Sequence, residues 1–153
     1  MQAPPAPPAA ANAGAPAGPP AGVSAEGLFD SAKRDRLAGN YDIALDEFKQ
    51  YLKWFSATDS APIAQYYIGE IHYNQKDYDQ ALDAFNAVLA LPKNNATDDA
   101  RFMKGRTLAR LGQKADAAKE FRAIIAASPG SEIAHRAQAE LHDLNAAAAK
   151  KRK

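Results

Sequence analysis

Apolar and small residues recur along this chain with two superposed periods. Locally they fall every three or four positions, the spacing of one face of a helix. At longer range the same arrangement returns: Ala44, Ala81 and Ala117 are 37 and then 36 residues apart, and Phe48, Phe85 and Phe121 keep that spacing. Twelve positions before each alanine stands another small residue, Ala32, Gly69 and Gly105. Small residues let two antiparallel helix backbones approach, and a phenylalanine one turn on fills the space beside them. Each unit therefore reads as helix A, a short turn and helix B. The helices are expected at 24–38 and 41–55, 61–75 and 78–91, and 98–111 and 114–127. One such pair cannot bury its apolar face alone, so successive pairs must stack.

Start and stop signals agree with these limits. Ser60 is placed to cap a helix with Pro62 in its first turn, where a missing N–H costs little. Asp77 followed by Gln80 has the form of a capping box, with Asp in place of Ser or Thr. Thr97 precedes Asp98 and Asp99, which suit the positive end of a helix dipole. Pro92 and Ser128-Pro129-Gly130 end the second and third B helices. After Ser131 a seventh helix carries Ile133, Ala137, Leu141 and Leu144 on one stripe, with Glu132, Arg136, Glu140 and Asp143 facing elsewhere. A last amphipathic helix covers the exposed end of a stack. The expected fold is all-α: a right-handed superhelical solenoid of three helix pairs, about 25–60, 61–97 and 98–130, plus a capping helix over 131–145.

Composition changes the picture at both ends. Of residues 1–22, 19 are Ala, Pro or Gly, which lack the apolar bulk to offset the entropy of ordering and read as a disordered linker. The repeat domain is expected over 24–145, and the ending, Ala146 to Lys153, reads as a frayed, solvated basic tail. The net charge of +1 argues against nucleic acid or a membrane surface as the main partner. No cysteine is present, so there is neither a disulfide nor a thiolate metal site. No apolar run approaches the roughly 20 residues that span a bilayer, and no signal peptide is legible at the N-terminus.

The small–twelve–small–four–Phe spacing resembles the tetratricopeptide repeat, whose period is about 34 residues. Longer strings are similar to a narrower group. They are Ala32-Lys33-Arg34-Asp35, Ala38-Gly39-Asn40-Tyr41-Asp42, Ala61-Pro62-Ile63-Ala64-Gln65-Tyr66-Tyr67-Ile68-Gly69-Glu70, Gln75-Lys76-Asp77-Tyr78, Phe102-Met103-Lys104-Gly105 and Leu111-Gly112-Gln113. They resemble the C-terminal domain of the YbgF family, Tol-Pal system proteins also called CpoB or cell division coordinators, and the resemblance runs in order over residues 26–144. It implies a periplasmic adaptor that binds TolA and links outer-membrane constriction to a peptidoglycan synthase during division. Family members also carry a signal peptide and a trimerising coiled coil ahead of a low-complexity linker. Neither is legible here, so the chain reads as a mature or truncated segment beginning in the linker, and a homotrimer is expected only through a coiled coil absent from it.

In stacked repeats the outward residues of the A helices line the concave face. Counted from the small residue of each A helix, the expected groove is Phe29, Lys33 and Arg36, then Tyr66, Glu70, Tyr73 and Asn74, then Phe102, Arg106 and Arg110. Aromatic rings offer contact area at low entropy cost, and Arg holds carboxylates in a fork. Phe29, Tyr66 and Phe102 have two readings, groove lining or core packing, since amphipathic stripes are usually core. Phe48, Phe85, Phe121, Tyr41 and Tyr78 are expected in the core.

Catalytic candidates are few. His135 and His142 are seven apart on one helix face with Glu132 a turn ahead, but no second Glu-x-x-His pair faces them, so no metal or other cofactor is expected. His72 reads as a packing residue. Asp42/Asp46 and Asp79/Asp83 suit the first turns of B helices, and without a pocket they do no acid–base work. With no phosphate loop or nucleophile elbow, a protein-interaction module is expected rather than an enzyme. Two other modules share such helices. An outer-membrane assembly lipoprotein would need a lipid-bearing cysteine, and a cytoplasmic co-chaperone would use a basic groove for acidic peptide tails.

Overall fold

The structure, a computed structural model, describes residues 18–152. Most of the expected linker, residues 1–17, lies outside the described residues. The described chain forms α1 (Ala25–Ala38), α2 (Tyr41–Phe55), α3 (Ala61–Asn74), α4 (Tyr78–Leu89), α5 (Thr97–Arg110), α6 (Lys114–Ala127) and α7 (Glu132–Lys150), with no strand among them. Each odd helix packs on the even one after it, and each even helix packs on the next odd one, which gives the expected all-α solenoid. Across repeats α3 touches α5 and α5 touches α7, while α2, α4 and α6 do not pack on one another to that extent. From α3 onward the A helices are thus drawn closer together than the B helices, which puts them toward the inner curve.

The repeated residues hold the pairs together as their spacing predicts. Ala32, Ala44, Ala81 and Ala117 are fully buried, and so are Phe48, Phe85 and Phe121. Two clusters form the core: one around Phe48, Ile68 and Ile71 in the first two repeats, the other around Phe85, Phe121 and Ile124 further on. Tyr41 and Tyr78, expected in the core, are only half-buried. Each is the first residue of its B helix.

The A–B turns repeat one backbone motif. Gly39, Lys76 and Gly112 take left-handed φ values of 82°, 64° and 80°. Each is followed by a bond that closes the A helix, from Asn40 N to Asp35 O (2.9 Å), Asp77 N to His72 O (2.8 Å) and Gln113 N to Leu108 O (2.8 Å). This is the Schellman ending, which glycine favours because it has no Cβ penalty there.

Several caps differ from expectation. Ser60 and Asp77 make no side-chain cap bond, and Gln80 instead donates to the Asp77 carboxylate at 2.8 Å. The backbone at each is turned away from the extended geometry that aims a capping oxygen at the helix N–H groups. Thr97 is the first residue of α5, and its hydroxyl accepts from Asn94 N at 2.9 Å. True side-chain caps stand at Ser24 and Ser131. The expected end of the capping helix at 145 also moves: α7 runs through Ala146–Ala149 to Lys150, since alanine carries the highest helix propensity.

Candidate partner-binding groove

The residues expected to line the concave face meet one another across adjacent A helices. Arg36 of α1 pairs with the Glu70 carboxylate of α3, and its guanidinium lies 4.2 Å from the centre of the Tyr67 ring. One repeat further on, the Arg106 guanidinium lies 5.4 Å from the centre of the Tyr73 ring and pairs with Glu140 of α7 at 3.2 Å. Arg110 Nε donates to the Tyr73 hydroxyl at 3.4 Å. An Arg on a Tyr ring that also pairs with a Glu thus occurs twice along the groove, with the Tyr and Glu on one neighbouring helix at Arg36 and on the two opposite neighbours at Arg106.

The aromatics divide. Phe102 is core, only 3% exposed, with the Phe121 ring centroid at 5.7 Å and the Arg136 guanidinium closing over it at 4.4 Å. Its neighbour α7 explains this, because the last helix lies over the α5 face that would otherwise be open. Phe29 is half-buried among Phe48, Tyr51 and Tyr67, with Lys33 5.4 Å from its centroid. Lys33 is also ion-paired with Asp30 at 3.3 Å. Tyr66 packs on Tyr67 and Phe85, and burial first, then the Glu70 carboxylate, pushes its phenol well above the ordinary range. Tyr73 is half-buried edge-on to Tyr78, and Asn74 is exposed. The solvent-facing part of the groove is thus Lys33, Glu70, Tyr73, Asn74, Arg106 and Arg110, whereas Phe29, Tyr66 and Phe102 serve mainly as packing.

Three groove residues were not among those expected: Tyr67, Arg136 and Glu140. Tyr67 follows Tyr66 directly, and an aromatic pair at successive positions signals only that one ring must leave the core stripe. Arg136 and Glu140 come from the capping helix, which carries no repeat signature to register it against the A helices. With Phe102, Arg106 and Asp143 they line a cleft of 260 Å³ at the C-terminal end of the groove. The cleft holds two guanidinium groups and two carboxylates, a balanced and polar lining.

Among the described residues no three His, Asp or Glu side chains are placed to hold a metal, and no helix is long and apolar enough to cross a membrane. His135 and His142 are both exposed on α7. His72 is buried, with Nδ1 lacking a hydrogen-bond partner and lying 3.8 Å from Asp77. Burial lowers its pKa below the ordinary 6.5, against the pull of Asp77 and together with the repulsion of Lys49.

A family model described as the tetratricopeptide repeat matches residues 29–99, 93–132 and 102–150. Among solved structures, the first such domain of Spaghetti (RPAP3), bound to the HSP90 peptide SRMEEVD, is 20% identical with a TM-score of 0.69, over 82% of this chain and 93% of that one. The second domain of human RPAP3, in complex with the HSP70 peptide SGPTIEEVD, is 15% identical with a TM-score of 0.64, over 80% and 98%. PcrH in complex with the chaperone binding region of PopB is 23% identical with a TM-score of 0.63, over 77% and 97%. At these identities the likeness is one of fold. No curated protein sequence matches the chain.

Proposed function

We propose that this chain, which belongs to the tetratricopeptide repeat family, is an adaptor that holds a segment of a protein partner against the A-helix face. The observation that carries this reading is the row Arg36–Tyr67 and Tyr73–Arg106–Arg110, set across successive A helices and open to solvent at its second half. Tyr and Arg are the side chains enriched where protein interfaces are strongest, because a rigid ring and a planar fork lose little entropy on contact.

The finer reading takes the partner to be TolA, in the periplasm, with a peptidoglycan synthase as a second contact, so that envelope constriction and wall synthesis stay in step. Its support is the ordered set of strings from Ala32 to Gln113 that resemble the YbgF family. The test is a pull-down from periplasmic extract with the full chain as bait. Recovery of TolA supports the reading, and recovery of chaperones without TolA overturns it.

Solved structures of similar fold hold the peptides SRMEEVD and SGPTIEEVD; here Arg110 and Arg136 have no carboxylate partner among the described residues, but two other arginines of the groove do. Arg36 and Arg106 already hold Glu70 and Glu140, so an acidic tail would have to displace an internal carboxylate at each. A partner that brings apolar, aromatic and mixed-charge groups fits the balance better.

A further inference from the structure

The end of the molecule away from the linker carries a charge pattern that the groove does not use. Helices α6 and α7 run antiparallel, and between the first half of α6 and the last turns of α7 lies a cleft of 340 Å³. Its floor is apolar, made by Ala118, Leu144 and Ala148. Its rim is basic, with Lys114, Lys119 and Arg122 from α6; beyond the lining itself, Lys150, Lys151 and Arg152 follow within about a turn of Ala148. Of the nearby carboxylates, Asp116 pairs with Lys119, Glu120 is held by Arg101 and Lys104, and Asp143 lines the cleft on the groove side. Among the described residues Lys114 and Arg122 have no carboxylate partner. Three cations thus line the cleft and three more follow Ala148 along the chain, against three nearby carboxylates of which two are already paired, in a chain whose total charge is only +1.

We propose that this cleft docks a second protein segment, acidic and carrying an apolar anchor residue, independently of the A-helix groove. Charge decides the sign of the occupant, and the floor decides its class. A stripe of Lys and Arg alone would suit any polyanion. The patch has no aromatic ring to stack a base and none to seat in a lipid headgroup layer, which sets it apart from nucleic-acid and membrane-surface sites. What it offers is a small apolar depression flanked by guanidinium and ammonium groups. A Leu or Met side chain can leave water there while flanking Glu or Asp side chains meet Arg122, Lys114 and the end of α7.

The test measures fluorescence anisotropy of a labelled glutamate-rich peptide with a central leucine against the full chain. Binding that weakens with salt is expected, with about a tenfold loss of affinity in Lys114→Glu/Arg122→Glu. Ala148→Gln, which puts a polar side chain over the floor, is expected to weaken it as well. All three positions lie at the surface of their helices, and Lys151→Glu/Arg152→Glu gives a second charge reversal beyond the helix end. Unchanged affinity in the charge variants overturns the proposal. So does equal affinity for a peptide with serine in place of leucine, or tighter binding to single-stranded DNA or to anionic vesicles. A dimer of the chain that forms through these same residues would give the face to a second copy and equally overturn it.

Discussion

The Phe85 ring fills the space that a side chain on residue 69 would need: a Cβ built on Gly69 would stand 2.6 Å from the ring. The same relation recurs between Gly105 and Phe121, at 2.7 Å. The glycine and the phenylalanine, sixteen positions apart in the second and third repeats, are therefore two halves of one contact.

Gly69→Ala is expected to destabilise by about 1–3 kcal/mol despite alanine's better helix propensity, because the ring has to move within a close-packed core. Phe85→Leu alone should also destabilise, while the double variant should cost less than the two losses added together. Chemical denaturation of the four proteins measures the coupling, and strict additivity would contradict the contact.

Lys76→Gly is expected to stabilise. The residue holds φ 64° at the turn position where the other repeats have Gly39 and Gly112, and a side chain there costs about 1 kcal/mol. Glycine's greater freedom in the unfolded chain offsets part of the gain. The unfolding free energy from chemical denaturation should rise by a few tenths to about 1 kcal/mol, and a fall would show that the Lys76 side chain contributes something else.

Ser131→Ala should loosen the capping helix before the rest of the fold. The Ser131 hydroxyl accepts from Ala134 N at 3.2 Å and donates to Ser128 O at 2.7 Å, and losing such a cap costs about 1 kcal/mol. Hydrogen exchange should quicken first in α7, with α1 to α4 unchanged. Uniform quickening would mean that α7 melts only with the whole domain.

Stability should fall on acidification through His72. Its folded pKa lies below the ordinary 6.5 because burial disfavours the cation, so the unfolded chain binds a proton that the native one refuses. Stability is full above the unfolded value and declines as pH drops below it. Melting temperatures at about pH 7.5 and about pH 5.5 should differ less in His72→Gln than in the parent chain.

Arg106→Ala/Arg110→Ala is expected to abolish groove binding with little change in melting temperature, since Arg110 is exposed, the Arg106–Glu140 pair is a third exposed on both sides and such pairs contribute at most about 1 kcal/mol. Partner affinity by calorimetry beside a thermal melt separates the two effects. Parent-level affinity in the double variant would place the partner elsewhere.

The sequence by itself determined the helix pairs, their stacking order and the core phenylalanines, because close backbone approach admits only small residues and a repeat writes that constraint several times over. It also put Lys33, Arg36, Glu70, Tyr73, Asn74, Arg106 and Arg110 on the A helices. Tertiary structure alone decided which groove residues remain free. Phe102 counts as a groove position along α5, yet α7 and Arg136 close over it. Arg36 and Arg106 read as open cations until packing brings Glu70 and Glu140 against them. The basic end shows the same principle. Lys114 and Arg122 stand some thirty residues before the Lys150–Arg152 run, and only the antiparallel packing of α6 on α7 makes one patch of them. Local pattern records what a residue does within its own helix. Charge pairing and exposure depend on partners from helices distant in the chain, and that information exists only once the stack has formed.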